Sequence, residues 1–201
     1  MKGRDNMKKK QEIKKGMDIV FLLDRSGSMA GIESDTIGGY NSYINDNIDK
    51  DVKVTTVLFD NEYQMLTKRE NIKNIKEMTT KEYYVRGSTA LLDAIGQTIN
   101  YLDKENAKKV MFIITTDGLE NSSMNFTKEQ IKEMIQGHKN WEFIYIGANI
   151  DSYSEGSSLG IDTKNISNYK KDKRGVSTLF NSVSKASTMY MCNDSIDYSS
   201  I

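Results

Sequence analysis

The chain has 201 residues, 37% of them apolar, enough for one domain with a sizeable buried core. Its 28 basic and 28 acidic residues cancel, so no global field favours nucleic acid or a membrane surface. The single cysteine, Cys192, excludes an internal disulfide framework and a cysteine-built zinc site.

Residues 1–16 carry a local excess of five positive charges and read as a basic, flexible extension. No aromatic residue interleaves those lysines, which argues against single-stranded nucleic acid. No apolar stretch approaches the ~18 residues of a membrane span, and the N-terminus lacks the apolar segment of a signal peptide. A cytosolic protein is the expectation, in keeping with the lone thiol.

The domain proper is expected over residues 17–191. Ile19 to Leu23 is an unbroken apolar run that ends in Asp24, the pattern of a strand buried on both faces. Asp24 then emerges at the carboxyl end of that strand, with Ser26 and Ser28 on the loop that leaves it. In open α/β sheets this crevice is where sites form. Residues 34–50 read as a helix with Ile37, Tyr40, Ile44 and Ile48 on one face. Gly38-Gly39 inside it costs ~1 kcal/mol per glycine against alanine, and marks either a close approach to the sheet or a local irregularity. Val52 to Phe59 is a second strand, Asp60-Asn61 a turn, and Tyr63 to Leu66 a short antiparallel return. Residues 67–86 are polar and read as irregular.

Thr89 to Leu102 is a helix, and Thr89 taken alone would be its N-cap. Val110 to Ile114 is another apolar strand, followed by Asp117-Gly118, which in isolation is an ordinary turn. Thr127 with Gln130 forms a capping-box pattern that opens a further helix. A strand over Trp141 to Gly147, a short helix over Ser152 to Leu159, an edge strand over Ile166 to Tyr169 and a closing helix marked by Val176, Leu179, Phe180, Val183 and Tyr190 complete the domain. Residues 192–201 read as a polar, frayed tail. The alternation predicts an α/β fold: a three-layer α/β/α sandwich on a mostly parallel, doubly wound sheet. Its switch point falls between the strands that end at Asp24 and Asp117.

Asp24-Arg25-Ser26-Gly27-Ser28 resembles the Asp-x-Ser-x-Ser signature of the metal-ion-dependent adhesion site in von Willebrand factor A domains. The partners of that signature occur in the family's order: Thr89 in Arg86-Gly87-Ser88-Thr89-Ala90, and Asp117 in Thr115-Thr116-Asp117-Gly118. The likeness covers roughly residues 17–191 and is to the stand-alone bacterial or phage-like type. It implies strand order 3-2-1-4-5-6 with the third strand antiparallel at the edge. It also implies a divalent cation, Mg²⁺ with Mn²⁺ or Ca²⁺ as alternatives. Ser26 and Ser28 would bind it directly, Thr89 directly or through water, and Asp24 and Asp117 largely through water. By the same resemblance the protein is a binding module and not an enzyme, and captures a Glu or Asp of a partner protein. The resemblance leaves its oligomeric state open.

Glu120 reads as a solvated loop charge or as a group at the rim of that site. His138, the only histidine, falls at the amino edge of the sheet, opposite the site, so a Ser-His-Asp triad is geometrically excluded. It reads as a helix C-terminal residue. The alternative function is a Mg²⁺-dependent phosphotransferase or hydrolase of the haloacid dehalogenase type, with Asp24 as nucleophile. That chemistry requires a second aspartate two residues on, where this chain has Ser26.

Overall fold

The computed structural model describes residues 16–148, 150–192 and 198. The basic extension expected over residues 1–16 lies outside the described residues, apart from an exposed Gly16. Six strands form one sheet: β1 (Met17–Asp24), β2 (Val52–Phe59), β3 (Tyr63–Asn71), β4 (Val110–Thr116), β5 (Trp141–Gly147) and β6 (Ile166–Asn168). Their order is β3-β2-β1-β4-β5-β6. All pairings are parallel except that of β2 with β3. Every residue of β1 and of β4 is buried, as central strands covered on both faces must be.

Alternation along β1 divides the core. Ile19, Phe21 and Leu23 face α1 (Glu33–Asp46) and α5 (Lys173–Cys192), where Phe21 meets Tyr40 and Tyr43 edge-on at 5.4 and 4.9 Å between ring centroids. Val20 and Leu22 face α2 (Leu91–Lys104) and α3 (Lys128–Gly137) on the other side. The short α4 (Ser152–Ser158) packs beside β5 and β6. The result is the expected three-layer sandwich. Each large apolar side chain withdrawn from water contributes ~1.5–3 kcal/mol. Among the described residues no helix is long and apolar enough to cross a membrane.

The structure departs from the sequence reading at four places. First, α1 stops at Asp46, because the Asn47 side chain donates to the Tyr43 carbonyl at 2.7 Å and takes the acceptor of the next helical bond. Ile48 is left 39% exposed, and Tyr43 fills the buried position instead. Second, β3 runs on to Asn71. Its polar residues sit on a half-exposed edge strand, where ladder hydrogen bonds to β2 require no apolar side chains. Third, Tyr198, in the stretch expected to fray, is 5% exposed and joins the core cluster around α5. Cys192, expected to open that tail, is instead the last residue of α5. Fourth, the close approach at Gly39 is to a helix: a Cβ there would lie 2.2 Å from Phe180 Cδ2 on α5.

Gly38 has nothing within 4 Å of a built Cβ, so the two neighbouring glycines should respond with opposite sign. Gly38→Ala is expected to stabilise by about 0.5–1 kcal/mol through lower backbone entropy in the unfolded chain. Gly39→Ala is expected to destabilise by about 1–3 kcal/mol through overpacking against Phe180. Urea denaturation of the two variants measures both.

Candidate metal centre

The site begins with a carboxylate in the middle of the sheet. Asp24 ends β1, between β2 and β4, with no exposed surface. Both its oxygens are engaged: Oδ1 accepts from the Ser26 backbone N–H at 2.6 Å and Oδ2 from the Thr116 hydroxyl at 2.6 Å. Its backbone carbonyl accepts from the buried Tyr83 hydroxyl at 2.6 Å. Burial raises the Asp24 pKa from 3.8 to about 6. The hydrogen bonds from Thr116 and Ser26 oppose that shift, and the charge of Asp117 adds to it.

The bond from Ser26 N–H to Asp24 turns the chain so that the hydroxyls of Ser26 and Ser28 lie 2.9 Å apart. This loop is tied to the segment before α2. Gly27 N–H donates to the Gly87 carbonyl at 3.1 Å, and Arg86 N–H to the Arg25 carbonyl at 2.8 Å. Gly87 is in the left-handed region at φ +66°, and a Cβ there would lie 1.9 Å from Asn61 Oδ1, so any other residue would be strained and would have to displace the Asn61 side chain. Arg25, inside the Asp-x-Ser-x-Ser stretch, is 1% exposed, and its guanidinium is held by Asp60 and Gln64. Its Nε reaches Asp60 Oδ2 at 2.8 Å, and Arg86 Nε reaches the same oxygen at 2.8 Å.

Thr89 lies ahead of α2, whose N-cap is Ala90 without a side-chain cap. The plain helix-cap reading of Thr89 is therefore set aside. Asn121 clamps its backbone: Asn121 Oδ1 accepts from Thr89 N–H at 2.9 Å, and Asn121 N–H donates to the Thr89 carbonyl at 3.0 Å. Asp117 follows β4 and is 7% exposed. Its Oδ2 lies 2.9 Å from the Lys171 ammonium, while its Oδ1 is buried with no hydrogen-bond partner.

A Cβ built on Gly118 would sit 2.8 Å from Thr89 Oγ1 and 3.1 Å from Ser28 Oγ. The hydroxyls of the first and second loops thus converge on the backbone of the third, at the residue that follows Asp117. Among the described residues no three His, Cys, Asp or Glu side chains gather as a metal cluster. The oxygens assembled here are instead hydroxyls with two carboxylates. That donor set suits a hard cation that keeps part of its water shell. Asp24, Ser26, Ser28, Thr89 and Asp117 fit such an ion.

Glu120 is half-buried, and its carboxylate is engaged by its own loop and by the start of α2. It accepts from Leu92 N–H at 2.9 Å, from Ser122 N–H at 2.9 Å, and from the N–H and hydroxyl of Ser123 at 2.7 Å each, and so shapes the loop after Asp117. His138 caps the C-terminus of α3, with Nε2 2.8 Å from Asp103, at the far edge of the sheet. Sequence reasoning missed Thr116, Tyr83, Asn121 and Lys171. Thr116, adjacent to Asp117, carried a signal in its hydroxyl at a strand end. The other three depend on tertiary placement.

Because burial raises the folded-state pKa of Asp24, protonation of this group favours the fold below about pH 4. That contribution is lost as pH rises through about 6. A shift of this size corresponds to roughly 3 kcal/mol at 1.36 kcal/mol per unit. In EDTA, wild-type stability relative to Asp24→Asn is expected to fall by about that amount between pH 4 and 7. Denaturant melts across that range measure it.

The von Willebrand factor type A domain model matches residues 18–181. No curated protein matches the chain. Among solved structures, proximal thread matrix protein 1 from the mussel byssus, in a form with a zinc-occupied MIDAS motif, is 15% identical. It superposes with a TM-score of 0.64 over 89% of this chain and 47% of its own. The pilus adhesin SpaC from Lactobacillus rhamnosus GG is 14% identical at a TM-score of 0.70, over 90% of this chain and 31% of its own. The vWF domain of the pilus tip protein Mfa5 from Porphyromonas gingivalis is 10% identical at 0.67, over 92% of this chain and 99% of its own. At these identities the likeness is one of fold, and the chain spans about half the length of the mussel protein.

Proposed function

The chain belongs to the von Willebrand factor type A domain family, and from that premise we propose that it is a divalent-metal-dependent protein-binding module that captures a Glu or Asp of a partner. The observation that carries this reading is the convergence of the Ser28 and Thr89 hydroxyls on Gly118, the residue after buried Asp117, whose Oδ1 is unpartnered. Ser26, Ser28 and Thr89 would hold the ion, with Asp24 and Asp117 balancing its charge; Mg²⁺ is the expected occupant. Bound there, the ion would supply a Lewis-acid position open to a carboxylate from outside.

The chain's own residues serve capture better than turnover. Asp24, the nucleophile of the phosphotransferase alternative, has both oxygens committed to Ser26 and Thr116. The position two residues on is a serine. General-base chemistry requires a group within hydrogen-bonding reach of the reacting proton, and His138 lies across the sheet. The segment that carries Lys171 also holds exposed Lys170, Lys173 and Arg174 against one exposed acid, Asp172, a net positive charge on the stretch that contacts Asp117.

Affinity capture from a lysate in Mg²⁺, followed by elution with EDTA, tests the reading. Asp24→Ala is expected to abolish both metal binding and capture. Thr89→Ala is expected to weaken capture by about tenfold or more while leaving the melting temperature nearly unchanged. Partner retention in EDTA would contradict metal-dependent capture, and phosphatase turnover at ~1 s⁻¹ that Asp24→Ala abolishes would replace this reading with the enzymatic one.

A further inference from the structure

Lys171 lies far from the site in sequence, in the turn between β6 and α5. Its ammonium nevertheless rests 2.9 Å from Asp117 Oδ2 and also contacts the Ser28 carbonyl. It therefore joins the same two loops that a cation held by Ser28 and Asp117 would join. This is not a free surface side chain, since Lys171 is 21% exposed on a turn anchored at both ends. On one side, Tyr169 N–H donates to the Gly147 carbonyl at 2.9 Å, and the Tyr169 hydroxyl reaches Met29 Sδ, in the serine loop, at 4.0 Å. On the other, the Asp172 carboxylate accepts from Gly175 N–H at 2.7 Å. A Cβ on Gly175 would lie 1.9 Å from the Lys170 carbonyl oxygen, so the backbone there passes too close for a side chain.

We propose that Lys171 is a tethered monovalent cation that competes with the divalent ion for Asp117. It stands in for part of the ion's charge when metal is scarce and thereby sets the metal affinity of the site. The inference rests on the metal-site reading above. Two like charges within a few ångströms in a poorly solvated crevice repel strongly, so full occupancy by a divalent ion requires the ammonium to leave Asp117. One oxygen of that carboxylate is held by Lys171 and the other is buried without a partner, so the ammonium satisfies only part of the carboxylate that a divalent ion would engage.

The test is calorimetric titration of the full chain with MnCl₂, in wild type, Lys171→Met and Asp24→Ala, with melting curves in EDTA alongside. Lys171→Met is expected to bind Mn²⁺ at least about tenfold more tightly than wild type. It should melt lower than wild type in EDTA and recover when Mn²⁺ is added. Equal or weaker Mn²⁺ binding by Lys171→Met than by a wild type that does bind would overturn the inference and leave the metal site standing. Failure of both wild type and Lys171→Met to bind Mn²⁺ would remove the metal reading and this inference together. Should Lys171→Met not fold, the rate of amine-directed acetylation of Lys171 in the wild type, read by peptide mass spectrometry, decides the matter. A severalfold rise on adding Mn²⁺ supports displacement of the ammonium, and an unchanged rate contradicts it.

Discussion

The structure depends on one buried carboxylate. Asp24 has no contact with solvent and sits at the end of the fully buried β1, between β2 and β4. A charge in that position is costly unless hydrogen bonds or a counter-ion meet it. The Ser26 N–H meets it from the loop after β1 and the Thr116 hydroxyl from the last residue of β4, and together they fix where the loops after both strands begin. The bend that delivers the Ser26 N–H also brings the Ser26 and Ser28 hydroxyls together. Burial still holds the Asp24 pKa near 6, so the protein-borne donors compensate the charge only in part.

Around this centre the loops are held by buried polar bonds. Asp60 accepts from the guanidinium groups of both Arg25 and Arg86, and through them links the first loop to the segment that presents Thr89. Asp93, on the first turn of α2, accepts from the backbone N–H groups of Met124, Asn125 and Phe126. Burial alone would raise the Asp93 pKa, yet these bonds lower it. The stretch after Asp117 is thus fixed to the same helix that Thr89 precedes. Such networks add little net stability compared with apolar packing, but breaking one partner is expensive. Their effect here is to specify one geometry for the loops at the sheet edge.

Much of this was legible in the sequence, for identifiable reasons. Central strands announce themselves as unbroken apolar runs, so the strands ending near Asp24 and Asp117 stood out and located the switch point. The sheet order came from family likeness and not from periodicity. What escaped was decided by local competition or by tertiary placement. The end of α1 is set by the Asn47 side chain taking a helical carbonyl. The length of β3 follows from ladder pairing on an edge where side-chain pattern is weak. The role of Glu120 emerges from four donors that the folded loop presents. Lys171 had no sequence signal, because its meeting with Asp117 requires the turn after β6 to fold back over the serine loop.

The central claim is that hydroxyls and two carboxylates at one sheet edge make a divalent-cation site. An anomalous difference map from crystals grown with Mn²⁺ tests it most directly. The account predicts one strong peak within ~2.1–2.3 Å of both Ser26 Oγ and Ser28 Oγ, on the side facing Asp117. A map with no peak there, or with Mn²⁺ bound only at carboxylates elsewhere on the surface, would contradict it.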